Sequence, residues 1–240
     1  MNDTKIDTFP SRAPQIGVTN TQFCTEHKPP RGSQLKRPPG RNIEETAPTN
    51  PPTMSANPPT FAEALTATQA RLNQILDTNC TIQVHDKLND ALIQTILQID
   101  AQKFRQELQY RHEEVLEHSN IEGFKLIYAE CDGQPLGIAY GYNESETGGF
   151  FLDTLASMVE GKGIGHTLAT LLIIHAQHMK HTHVTLYTEE QDEKCRQLRR
   201  FYEKMGFVYL GTEPRKGDVM KLQITPEKTR ELYTRYITKN

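Results

Sequence analysis

Gly161-Lys162-Gly163-Ile164-Gly165 and Phe201-Tyr202-Glu203-Lys204-Met205-Gly206-Phe207 decide how this 240-residue chain is read. Ahead of the first stretch, Gly149–Met158 carries the apolar run Phe150, Phe151, Leu152, Leu155 and Ala156, as in a strand covered on both faces. After it, Ile164, Leu168, Leu171 and Leu172 recur at helical spacing. The glycines therefore form a turn between a strand and a helix, where positive φ and close ligand approach are allowed. A helix N-terminus offers unpaired N–H groups and the positive end of its dipole, so an anion such as a pyrophosphate suits it. Two other phosphate motifs are excluded. Gly161-Lys162 is followed by Gly163 rather than Ser or Thr, and the last glycine of G-x-G-x-x-G would fall on His166 or Leu168.

The second stretch lies 39 positions further on, counted from Gly163 to Tyr202. His183-Val184-Thr185-Leu186-Tyr187-Thr188 is a β-type run. Gln191–Lys204 reads as a charged amphipathic helix with Leu198, Phe201 and Met205 on its apolar side, and Gly206 is placed to close it. Strand character resumes at Phe207-Val208-Tyr209-Leu210.

Strand, glycine turn, helix, strand, then a helix ending in Tyr-Glu-Lys-x-Gly-Phe resembles the GCN5-related N-acetyltransferases (GNAT). In the pattern [Q/R]-x-x-G-x-[G/A] the small residues fall on Gly163 and Gly165, and the first position on Glu160. Cys195 and Leu198 stand where members commonly carry Asn and Ala before the tyrosine. The resemblance implies an α/β acyl-CoA N-acyltransferase fold of α+β type: a mixed central sheet of about 6–7 strands flanked by helices. It covers roughly residues 81–224. Cys80–Val84 would be the first strand and Leu88–His118 the first two helices. Gly123–Cys131 and Pro135–Tyr142 would pair as a hairpin turning at Asp132-Gly133. Phe207–Leu210 and Val219–Ile224 would complete the sheet. Pro226–Thr238 reads as a helix capped by Thr225.

What the resemblance implies for chemistry is acetyl transfer from acetyl-CoA, as co-substrate, to a primary amine of a small molecule or a protein. The amides of Leu155, Ala156 and Ser157 would hold the pantetheine arm and stabilise the developing oxyanion. Gly161, Lys162, Gly163, Ile164, Gly165 and His166 would bind the pyrophosphate. The amine attacks the thioester directly, and Tyr202 protonates the departing thiolate. A phenol (pKa about 10) stays protonated at neutral pH yet lies near enough to a thiol (roughly 8.5) to share its proton. The base in such chemistry is usually a carboxylate: Asp153, sharing a strand face with Phe151 and Leu155, is the candidate, with a capping or bridging hydrogen-bond role as the alternative, and Glu130, Glu160, Glu189 and Glu190 are nearby in sequence. The loop 212–218 and the segment Gln109–Ser119 would border the acceptor channel. Two alternatives remain open: transfer from a longer acyl-CoA, and an acyl-CoA-binding or interaction protein without catalysis.

Eleven of the fourteen prolines precede residue 61, and no apolar periodicity accompanies them, so residues 1–60 read as a disordered tail. Residues 28–41 hold five Lys or Arg, four prolines and no acid, a tract suited to docking on an acidic or Pro-recognising partner. Phe61–Asp77 reads as an extra amphipathic helix within a 61–78 segment, packing beside the first strand or forming a homodimer. Residues 79–240 then form the transferase domain. No run approaches the roughly 20 apolar residues of a membrane span. The net charge of −3 does not suit a nucleic-acid binder. Cysteines 24, 80, 131 and 195 follow no C-x-x-C spacing, so neither disulfides nor zinc is expected, and a reduced cytoplasmic protein follows. His175, His178, His181 and His183 sit at a helix end, where they complement its dipole; no metal is expected.

Overall fold

The computed structural model describes residues 58–144, 147–192 and 194–239. The tail read over 1–60 lies outside them, apart from its last three residues, as does the basic tract 28–41. Thr60 opens α1 (Phe61–Leu76): its hydroxyl accepts from the Glu63 amide while the Glu63 carboxylate accepts from the Thr60 amide, a reciprocal capping box. There follow β1 (Cys80–His85), α2 (Asp90–Lys103), a 3-10 turn at Gln106–Leu108 and α3 (His112–Ser119). β2 (Lys125–Cys131) and β3 (Gln134–Asn143) form a hairpin whose turn residues Asp132 and Gly133 both take positive φ, 51° and 71°.

β4 (Phe150–Ser157), α4 (Ile164–His178) and β5 (His183–Thr188) fall where strand and helix spacing place them. α5 (Leu198–Glu203), β6 (Val208–Glu213), β7 (Gly217–Gln223) and α6 (Pro226–Tyr233) complete the chain, α6 running on into a π-helical turn at Thr234–Thr238. The seven strands make one mixed sheet in the order β1-β2-β3-β4-β5-β7-β6. α1, α4 and α6 bury one face, centred on Leu72, Phe150, Leu168, Leu172 and Leu222. α2 and α3 cover the other face over β2 to β4, through Ile93, Ile96, Ile99, Val115, Ile138 and Tyr140. Among the described residues no helix is long and apolar enough to cross a membrane.

Three expectations are corrected. The helix read from Gln191 begins only at Leu198. Asp192 draws the Lys194 and Arg196 amides onto its carboxylate, Cys195 takes φ 57°, and Gln191 bridges to Gln197, so the described residues before Leu198 are held out of the helix. The loop read over 212–218 shrinks to Pro214-Arg215-Lys216, because β6 and β7 pair out to Glu213 and Gly217. The cysteines do pair. Cys80 and Cys131 are register partners on β1 and β2 with Cα atoms 4.1 Å apart, and a disulfide joins them. None of the described cysteines is free. Spacing of 51 residues hides this pair, since register alone brings the two together.

Candidate active site

β4 and β5 are parallel neighbours that pair at Phe150–Val184 and Phe151–Thr185 and nowhere beyond. β4 continues to Ser157 with its β3 edge paired and its β5 edge bare. Backbone N–H and C=O groups do not stay unpaired without a partner, and the backbone of Leu155, Ala156 and Ser157 lies along this open seam. At its end the chain turns through Gly161 (φ 74°) and Gly163 (φ 76°), and Gly163 caps α4. No atom lies within 4 Å of where a Cβ would stand at either glycine. The left-handed backbone explains the glycines, and the open space above them leaves the first amides of α4 accessible to an anion.

The tyrosine helix leans on this turn. A Cβ on Gly165 would stand 3.4 Å from the Phe201 ring, and the His166 ring lies 4.0 Å from Phe201 and stacks on Tyr236 at 4.7 Å. The His166 side chain is thus committed to packing, and burial lowers its pKa to about 4, leaving only its amide for a ligand. Tyr202 is half-buried between Phe201 (4.9 Å) and Phe207 (5.6 Å). Burial raises its pKa and keeps the phenol protonated. Gly206, at φ 97°, lets the Phe207 amide return to the Tyr202 carbonyl and close the helix.

Glu160 is not an isolated acid. Arg196 (2.7 Å), Lys194 (3.4 Å) and Lys103 (3.9 Å) converge on its carboxylate, and Arg196 above all holds its pKa down. The end of α2 and the residues after it tie both lips of the seam: Lys103 Nζ donates to the Met158 carbonyl at 3.4 Å, and Arg105 pairs with Glu189 just past β5. Lys162 is exposed.

Asp153 occupies a different place from the one expected. Tyr140 pairs with Thr154 and Gly141 with Leu152, so Asp153 is the extra residue of a β-bulge. The bulge breaks the two-residue alternation. Asp153 stays on the face of α2 and α3 with Phe151, whereas Leu155 turns to the opposite core beside α4. Asp153 is 4% exposed and fully engaged: Tyr110 Oη donates to Oδ1 at 2.6 Å and His118 Nδ1 lies 2.8 Å from Oδ2. Glu130 sits in the β1–β2 hydrogen-bond network with Thr81 and Gln83, and Glu190 faces Arg199.

His118, Tyr110 and Tyr142 were missed in the sequence because nothing in their spacing marks them; a bulge and a helix face bring them to Asp153. From there a row of half-buried rings crosses the sheet from β3 to β5: Tyr110–His118 5.0 Å, His118–Tyr142 5.5 Å, Tyr142–Phe151 5.6 Å and Phe151–Tyr187 5.4 Å. Of the four histidines read at a helix end, His175 lies in α4, buried against Phe61 and Phe150, whereas His183 opens β5 and faces Glu144. Among the described residues no His, Cys, Asp or Glu cluster is arranged to hold a metal.

Residues 92–207 match the family model described as the acetyltransferase (GNAT) family. Among solved structures, aminoglycoside 6'-N-acetyltransferase from Enterococcus faecium aligns with TM-score 0.51 and 19% identity over 60% of this chain and 97% of that one. Aminoglycoside 6'-acetyltransferase type Ii aligns with TM-score 0.50 and 20% identity, over 60% of this chain and 97% of the other. A Desulfovibrio desulfuricans protein assigned to the GNAT acetyltransferases gives TM-score 0.50 and 18% identity, over 61% and 99%. At such identities the likeness is one of fold. Comparison with the curated proteins gives no match.

Proposed function

Because residues 92–207 form an acetyltransferase domain of the GNAT family, we propose that this protein transfers the acetyl group of acetyl-CoA to a primary amine by direct attack. The observation that carries the proposal is the bare β4 edge running into an open glycine turn at the start of α4. The two meet the needs of one ligand. An amide-bearing arm pairs with the backbone of Leu155–Ser157, and a pyrophosphate lies on the amides of Gly161, Lys162, Gly163, Ile164, Gly165 and His166. Lys162 adds a positive charge there, and Lys194 and Arg196 are close enough to Glu160 to offset its own.

Tyr202 donates its proton to the departing thiolate; burial keeps that proton in place until the thiolate forms. Asp153 is the carboxylate that drives loss of the acceptor's proton. The acceptor enters from the α2–α3 side, between the ring strip and the β6–β7 hairpin. An intracellular site of action follows from the co-substrate; the bonded cysteines withdraw the support that thiol usage gave it.

Calorimetric titration of acetyl-CoA into the full chain tests the cofactor site. Micromolar binding, abolished in Gly163→Glu and retained in Tyr202→Phe, is the expected result. Absence of binding by the wild-type chain would sink the proposal.

A further inference from the structure

We propose that His118, oriented by Asp153, takes the proton from the acceptor ammonium, and that the acceptor is a monoamine carried on an aromatic body lying along the ring strip Tyr110, His118, Tyr142, Phe151 and Tyr187. This rests on the transferase function proposed above.

Asp153 is poorly placed to meet a substrate itself. Its side chain is 4% exposed, with one oxygen accepting from Tyr110 and the other 2.8 Å from His118 Nδ1. His118, 21% exposed, is the member of the pair that reaches the surface of the strip. The Asp153 carboxylate, 2.8 Å from Nδ1, favours a proton on that nitrogen and leaves Nε2 as the acceptor, the arrangement of a carboxylate-backed imidazole base. Tyr110 is pinned from the other side, its amide donating to the buried carboxylate of Asp100 at 3.3 Å. Position fits as well. Asp153 is two residues before Leu155, roughly 6–7 Å along the strand from the backbone assigned to the thioester.

The groups facing His118 are Asp153 on β4, Tyr142 on β3, Tyr110 before α3, Glu114 and Glu117 on α3, and Asp100 on α2 behind Tyr110. Burial opposes the imidazolium, but the Asp153 hydrogen bond and the charges of Asp153, Glu114 and Glu117 outweigh it and raise the His118 pKa above its usual 6.5.

Substrate class follows from what lines the strip. Rings 5.0–5.6 Å apart offer faces and edges to another ring and to an ammonium. At the far end each carboxylate already has a cation: Glu213 pairs with Lys216, which also lies over Tyr187, and Glu189 pairs with Arg105. A second ammonium has no partner there, which disfavours polyamines. In the reaction His118 Nε2 takes one ammonium proton and later releases it to solvent. The freed amine attacks the acetyl carbonyl, the C–N bond forms and the C–S bond breaks. The thiolate leaves with the Tyr202 proton, and the second proton lost by nitrogen restores Tyr202.

The test uses the full chain with 2-phenylethylamine, spermidine and a short peptide as acceptors, following thiol release across pH. The expected result is kcat/KM for 2-phenylethylamine at least tenfold above the other two, rising with pH through a limb above 6.5. Asp153→Asn should move that limb to lower pH, since the carboxylate that favours the imidazolium is gone. His118→Gln should erase it and lower kcat about 10²–10⁴-fold while acetyl-CoA affinity is kept. A limb unmoved in both variants, or no preference for the aromatic amine, overturns the proposal. Failure of the wild-type chain to bind acetyl-CoA would instead remove the transferase function beneath it.

Discussion

Arg196 Nη1 lies 2.7 Å from Glu160 Oε1, joining the loop before α5 to the approach to the glycine turn. An acid at residue 160 is thereby embedded among Arg196, Lys194 and Lys103, which changes what its removal should do. Glu160 is 46% exposed, so the pairs themselves stabilise the fold little. Under the proposed function, their importance is for the charge beside the pyrophosphate site. Glu160→Gln should tighten acetyl-CoA binding severalfold and Arg196→Ala weaken it, by calorimetry at low salt. Both differences should shrink in 0.5 M salt, as screened surface charges do.

Gly163 holds φ 76° with open space where a side chain would stand. Gly163→Ala therefore meets no clash, only the cost of a left-handed conformation, about 1–2 kcal/mol. The variant should unfold at a lower temperature with weakened acetyl-CoA binding. Gly163→Glu places an anion over the amides and should abolish binding outright.

Tyr202→Phe keeps the ring between Phe201 and Phe207 and removes only the hydroxyl proposed as proton donor. Turnover should fall by about 10²-fold or more with acetyl-CoA affinity unchanged. Equal turnover in single-turnover assays would assign the thiolate's proton to water.

The disulfide between Cys80 and Cys131 lies at the sheet edge, on the first two strands of the order, while the seam opens beyond the fourth. Reduction should lower stability by about 4 kcal/mol, the loop-closure value for its 51-residue separation, and leave cofactor affinity alone. Denaturant titration with and without reductant, beside Cys80→Ser, measures this.

Burial holds His175 neutral, lowering its pKa to about 4, with its ring against Phe61 and Phe150 at 6% exposure. The unfolded chain, at about 6.5, binds the proton first. Stability is therefore full above 6.5 and lost as pH falls from there towards 4, by up to about 3 kcal/mol. His175→Leu should flatten the change between pH 7 and 5 in chemical denaturation.

Periodicity located β4, α4 and β5, because each buries a long apolar pattern whose period is local. The cap at Thr225 was equally legible, since it involves residues three apart. The start of α5 was not. Its charged stretch fits helical spacing, but the Asp192 side chain outcompetes helical hydrogen bonding for the Lys194 and Arg196 amides. Asp153 was found as an unusual carboxylate in an apolar strand, yet its facing was misjudged because a bulge between Tyr140 and Gly141 cannot be seen from alternation within β4 alone. His118 and Cys131 depend on register and on helix placement, which long-range pairing sets.

The seam also divides the sheet mechanically. β1 to β4 and the trio β5, β7 and β6 share only two residue pairs, Phe150–Val184 and Phe151–Thr185, so the hydrogen-bond lattice is nearly severed at its middle. Two interior edges face one another there, and α4, packed against both halves, is the girder that spans them. Such a plate flexes like a book on a short spine. Load, heat or proteolysis should part it along that line before either half frays, and amide exchange in the outer half of β4 should record the opening.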